Sequence, residues 1–161
     1  MAPPSEDTLT KVSTDAATEF VQSFYPALEN NRATISSFYN QPTSMILFNG
    51  NHVADGAAVQ EIFVNQMSPT HYEVQSLDCQ IINRAYPTPT STGVKLPTET
   101  TLKDMSILVI VSGYVRFGAS RDLPQRGFSE TFVLVPNPTE GLKGKRKREW
   151  LIQTQNFRLV V

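Results

Sequence analysis

The sequence predicts an α+β domain in which three helices, interleaved with a small hairpin, are followed by long antiparallel strands that curve around them. Three observations carry this. Up to residue 67 apolar residues recur every three or four positions, apart from one hairpin; from Tyr72 onward they recur every second position. The strands are grouped after the helices instead of alternating with them, which argues against βαβ winding. A length of 161 residues favours one domain, 1–161, with a single sizeable core.

The elements follow in order. Pro3 and Pro4 stand in a segment expected to be frayed to about residue 12. Leu9, Val12, Ala16, Phe20, Phe24 and Leu28 form one helical stripe, and Pro26 is expected to kink or shorten its last turn. Ala33, Ile35, Phe38 and Tyr39 predict a short second helix. Met45–Phe48 reads as a strand, and Asn49-Gly50 supplies the two positive φ angles of a type I′ turn into a short return strand. Asp55 caps a third helix with Val59, Ile62, Phe63 and Met67 on one face.

The strand region begins with "HYEVQSLDCQIIN", whose alternation slips by one near Gln75–Ser76, predicting a β-bulge. The Pro- and Thr-rich stretch 84–103 is a long loop, not a linker, because a matching strand follows it. That strand puts Ile107, Val109, Val111, Val115 and Phe117 on one face and Leu108, Ile110, Tyr114 and Arg116 on the other. "GFSETFVLVP" and "REWLIQTQNFRLVV" are the next strands. In the last, Trp150, Ile152, Thr154, Asn156, Arg158 and Val160 share a face by the two-residue period. One face of the sheet must cover its own helices. With apolar residues on both faces at Leu108–Ile110, the second face predicts a partner.

Charge narrows the function classes. The net charge is −1, yet Lys143, Lys145, Arg146, Lys147 and Arg148 lie together; without these five the charge is −6. A mildly acidic body does not by itself attract nucleic acid. The basic run reads as a solvated hairpin loop, as an RNA-phosphate contact or as a nuclear localisation signal. Trp150 is the only aromatic ring near it, so the stacking platform that single-strand binding uses is missing. Cys79 is the single cysteine, in an apolar run, which excludes an intramolecular disulfide and a cysteine-based zinc site. "MAPPSEDTLTK" has no basic start or apolar core, no stretch approaches the ~20 apolar residues of a membrane span, and an intracellular setting is expected.

Chemistry-bearing residues are sparse. His52, His71, Asp78 and Asp104 are the catalytic candidates; His52 and His71 are better explained as solvated ends and Asp78 as a partner for a loose backbone N–H. No zinc spacing, phosphate-binding glycine loop or nucleophile elbow occurs. No catalysis, metal or cofactor is expected. The planar fork of Arg158, set in a terminal strand between Phe157 and Leu159, suits a carboxylate across an interface.

"AATEFVQSFYPALENNRATISSFY", "LFNGNHVADG", "YEVQSLDCQ", "ILVIVSGYVRF" and "NFRLVV", in that order, resemble the nuclear transport factor 2-like family, and within it the small subunit of the heterodimeric mRNA export receptor. The resemblance covers nearly the whole chain from about Asp15. It implies a cone-like curved antiparallel sheet wrapped by three helices, and dimerisation through the open sheet face. The expected interface residues are Arg158, Asn156, Ile152 and Trp150 on the last strand and Tyr114, Arg116 and Ile110 on the central one. The implied partner is the related domain of a large export receptor, which would make most of the contacts to nucleoporins, with shuttling between nucleus, pore and cytoplasm. Long loops look more like the fungal branch, where they are associated with RNA or pre-ribosome contacts. Two alternatives share the fold: the homodimeric transport factor that carries Ran in its GDP form, and an isomerase or dehydratase with a buried acid–base group. A cone filled by aromatic side chains would exclude the enzyme.

Overall fold

Ser5 opens the first helix, α1 (Glu6–Asn30), by accepting a hydrogen bond from the N–H of Thr8 at 3.2 Å. The computed structural model describes residues 4–43, 45–82, 105–137 and 148–160. Residues 6–12, expected to be frayed, are thus helical, and α1 continues a turn beyond Pro26. Its buried face carries Ala16, Ala17, Phe20, Val21, Phe24, Tyr25, Ala27 and Leu28. The expected second helix is a 3₁₀ segment, Arg32–Phe38. The third, α2 (Gly56–Glu61), starts under the Asp55 cap, whose carboxylate accepts from Ala58 N–H at 2.8 Å, and runs into a π turn at Ile62–Gln66.

The strands are β1 (Met45–Phe48), β2 (Asn51–His52), β3 (Thr70–Ile81), β4 (Ile107–Phe117), β5 (Arg126–Pro136) and β6 (Trp150–Leu159). They form one curved, open sheet in the order β2-β1-β6-β5-β4-β3. It is mixed, not wholly antiparallel: β1 runs parallel to β6. The direction is set before β1 begins, because Tyr39 bridges Ile152 in parallel and Asn40 N–H donates to the Ile152 carbonyl at 2.9 Å. Asn49 and Gly50 take φ of 49° and 82°, as the expected hairpin turn requires.

Two irregularities bend the sheet. The pairing of β3 with β4 shifts between Val74 and Ser76, leaving Gln75 extra, where the sequence placed a bulge. Opposite it, a Cβ on Gly113 would collide with the Glu73 carbonyl, so the close approach requires glycine. The pairing of β5 with β6 shifts between Val133 and Leu134, leaving Gln153 extra. Asn40 Nδ2 donates to the Gln153 side chain at 2.7 Å and holds this second bulge.

The concave face packs on α1. Phe24 lies 5.3 to 5.5 Å from Phe38 and Phe132, edge to face, and Phe20 is 4.9 Å from Phe132. Tyr25, Tyr72, Phe128 and Phe157 continue the aromatic layer along the cone. Arg32 clamps the rim: its guanidinium donates to the carbonyls of Leu28, Phe63, Met67 and Ser68 at 2.6 to 2.8 Å and to Thr70 Oγ1 at 3.2 Å. One side chain thereby joins the end of α1, the π turn and the start of β3.

Candidate functional site

The two faces of the sheet offer different chemistry. On the convex face, strand register aligns Ile110, Thr131, Asn156 and Leu47 in one row, and Ser112, Ser129 and Arg158 in the next. Tyr114 sits beyond them, opposite Gly127. Ile110, Tyr114 and Met45 are 41%, 45% and 43% exposed, unusual for large apolar side chains in the middle of a sheet. Arg158 is exposed and forms no ion pair among the described residues. Arg116 is half-buried on the same face, and its Nε is buried with no hydrogen-bond partner among the described residues.

Five of the seven expected interface residues therefore share this face: Ile110, Tyr114, Arg116, Asn156 and Arg158. Ile152 and Trp150 do not. Ile152 is fully buried in the core, and Trp150 packs beside Ala16, Phe20 and Phe38 against α1. The bulge at Gln153 is the reason. It inserts one residue, so the two-residue period changes face there, and residues before it point opposite to where unbroken alternation puts them.

The remaining candidates have ordinary surroundings. His52 is exposed on β2, and Asp78 is exposed with its carboxylate accepting from Cys79 N–H at 2.9 Å. His71 Nδ1 lies 3.4 Å from Glu29 Oε1 on the surface, and Cys79 packs half-buried against the core. Asp104, Lys143, Lys145, Arg146 and Lys147, with the loop 84–103, lie outside the described residues. Arg148 is not a free phosphate ligand: its guanidinium lies 3.4 Å from the Phe38 ring centroid, where burial lowers its pKa.

Inside the cone is a group that sequence reasoning missed. Glu130 is 2% exposed. Tyr25 hydroxyl donates to its Oε1 at 2.8 Å, Gln155 Nε2 donates to its Oε2 at 2.7 Å, and Tyr39 hydroxyl donates to Gln155 Oε1. Burial pushes the Glu130 carboxyl up to about 7, against the two donors, which favour its charged form. Burial and the nearby Glu130 raise Tyr25, Tyr39 and Tyr72 well above the ordinary tyrosine value. A signal existed: Glu130 falls in phase with Phe128, Phe132 and Leu134, an acid on the apolar face of its strand. Gln155 carried the same signal: by the two-residue period it shares a face with Phe157 and Leu159, and the bulge at Gln153 lies before it.

Beside Glu130 and Gln155 is a cavity of about 210 Å³, lined otherwise by Asn49 and by rings and apolar chains including Leu28, Phe63, Tyr72 and Phe157. The aromatic layer thus fills much of the cone without closing it, so the filled cone that would exclude an enzyme is not what the structure has. No group of histidine, cysteine and acidic side chains able to hold a metal occurs among the described residues.

Known proteins share this architecture. The human NTF2-related export protein 2 is 25% identical over 143 residues, covering 89% of this chain and 84% of that protein. A chain in the structure of the Chaetomium thermophilum Mex67 NTF2-like domain complexed with Mtr2 superposes with a TM-score of 0.69 at 25% identity, covering 92% of this chain and 98% of that one. The structure of Mtr2 gives 0.68 at 25%, covering 92% and 99%. At 9% identity a scytalone dehydratase-like protein of Novosphingobium aromaticivorans, with a TM-score of 0.58, shares the fold alone. Residues 16–158 match the Nuclear transport factor 2 (NTF2) domain, and the chain belongs to that family.

Proposed function

We propose that this protein is the non-enzymatic small subunit of an mRNA export receptor, pairing through the convex face of its sheet with the related domain of a large subunit. The observation that carries the reading is that face: exposed Ile110 and Tyr114 lie beside Asn156 and an Arg158 that has no ion-pair partner among the described residues. Similarity to export proteins and to chains of Mex67 and Mtr2 structures supports the choice of partner. Pairing of this kind buries roughly 2,000 Å² or more and places apolar side chains at its centre. Arg158 would meet a partner carboxylate and fix orientation more than it adds affinity. The pair would shuttle between nucleus, pore and cytoplasm, with nucleoporin contacts made mainly by the large subunit. The basic loop ending at Arg148 would add RNA or particle contacts.

Co-expression with the NTF2-like domain of a large export receptor tests this. A stable one-to-one complex is expected, weakened by Arg158→Glu, which sets like charges against each other. A well-behaved monomer that ignores that domain refutes the pairing. Capture of Ran-GDP by the isolated chain would instead support the homodimeric transport factor.

A further inference from the structure

The convex face carries charge of opposite sign at its two sides. Arg158 on β6 shares a row with Ser129, Ser112 and Ser76. On β3 an acid flanks the end of that row on each side: Glu73, opposite Tyr114, and Asp78, opposite Ile110. Glu73, Asp78 and Arg158 are all exposed, and none forms an ion pair among the described residues. Nor do the acids neutralise Arg158 from across the sheet. Neighbouring strands stand about 4.8 Å apart, so β3 and β6, three strands removed, are roughly 14 Å apart. That exceeds the screening length of about 8 Å at physiological salt. Arg116, the remaining cation of this face, stands opposite His71 and forms no ion pair with Glu73.

The two carboxylates are positioned without being discharged. Glu73 accepts from the side-chain amides of Gln75 at 2.7 Å and Gln125 at 3.5 Å. Asp78 Oδ1 accepts from Cys79 N–H at 2.9 Å. Neutral donors fix a carboxylate and leave its charge available to an incoming group. Between the acidic and basic sides the face is uncharged: exposed Ile110 and Tyr114 stand on either side of the low row of serines. A partner covering that apolar centre must lie over both charged sides at once.

We infer that, given the pairing proposed above, the partner's sheet presents a lysine or arginine over Glu73 and Asp78 on β3 as well as a carboxylate over Arg158 on β6. Two contacts of opposite polarity, at opposite sides of the face, admit one orientation. A partner turned end for end about the centre would set acid against acid and base against base, which excludes it.

The test is the affinity of the full chain for the NTF2-like domain of a large export receptor, measured by calorimetry at low and high salt. Glu73→Lys with Asp78→Lys should weaken binding at least about tenfold, as should Arg158→Glu. Glu73→Gln with Asp78→Asn should weaken it less and flatten its dependence on salt, which a merely structural role would not do. Asp7→Lys with Asp15→Lys makes the same change of net charge on α1, across the sheet, and should alter affinity less than about twofold. The β3 carboxylates have no ion pair to lose, so the thermal unfolding of each variant alone checks that it folds. Wild-type binding that is indifferent to the β3 reversal, or weakened equally by the α1 reversal, overturns the inference and leaves the pairing standing. No complex with the wild type removes the pairing and the inference together. Self-association of the chain that the β3 reversal abolishes would make a second copy the occupant and also overturn it.

Discussion

Replacing Glu130 by glutamine should change how stability depends on pH more than it changes stability itself. In the folded chain the carboxyl titrates near 7, against an ordinary 4.5, because burial outweighs the hydrogen bonds from Gln155 and Tyr25. Between those values the folded state holds a proton that the unfolded state has lost. The contribution is fully present below pH 4.5 and declines as pH rises to 7; above that, folding carries the cost of a buried carboxylate. The gap from 4.5 to about 7 corresponds to about 3 kcal/mol, at about 1.36 kcal/mol per decade. The amide introduced by Glu130→Gln would keep the shape and, like a neutral carboxyl, can donate to the Tyr25 oxygen while accepting from Gln155. The raised tyrosines stay protonated over the range and add no slope. Urea unfolding of both proteins from pH 4 to pH 9 measures the difference directly and cancels every other carboxylate. The wild type should lose about 3 kcal/mol relative to the Glu130→Gln variant between the two ends. Parallel stability curves would show that Glu130 ionises in the folded chain as it does in water, and the account of the cone would be wrong.

Other substitutions test other parts. Arg32→Met should cost roughly 3 kcal/mol in thermal or urea unfolding, because it strands carbonyls of Phe63 and Met67, and Arg32→Lys should recover little since an ammonium lacks the planar fork. Gly113→Ala should cost about 2 kcal/mol and raise amide exchange along β3 and β4, where the new Cβ drives Glu73 away at the bulge. Ile110→Lys should leave the stability of the isolated chain within about 0.5 kcal/mol, since Asp78 lies directly opposite it, while abolishing co-purification of the large-subunit domain; a large loss of stability would show that Ile110 serves the fold instead. Arg148→Ala should lose about 1 kcal/mol from the contact with Phe38, read as a lowered Tm.

Much of this architecture is legible in the residues because local chemistry and tertiary placement agree. The stripe from Leu9 to Leu28, the Asp55 cap, the Asn49-Gly50 turn and the slip at Gln75 all act over a few residues, and the structure keeps each of them. What was not legible depends on contacts between distant parts. The bulge at Gln153 leaves no break in an apolar pattern that already mixes Leu151 with Ile152, and Asn40, more than a hundred residues away, is what holds it. That one residue moved Trp150 and Ile152 off the expected interface. Parallel pairing of β1 with β6 likewise depends on Tyr39 and Asn40 meeting Ile152, which no local period announces. Glu130 could have been found by asking why an acid shares a face with Phe128 and Phe132.

The parallel pairing has a consequence for the order of assembly. β1 and β2 reach the rest of the sheet only through β6, and Asn49 secures that junction twice, donating from its N–H to the Phe157 carbonyl and accepting from Leu159 N–H. During synthesis the hairpin emerges about a hundred residues before its neighbour. Until the residues beyond 150 leave the ribosome, β1 has no partner but β2, and α2, packed on the 3₁₀ segment, has no sheet beneath its hairpin. Closure of this domain is therefore a late, long-range event of the kind that slows folding. A chain arrested before β6 would present an unpaired strand edge and the open mouth of the cone together, a surface that chaperones would be expected to hold.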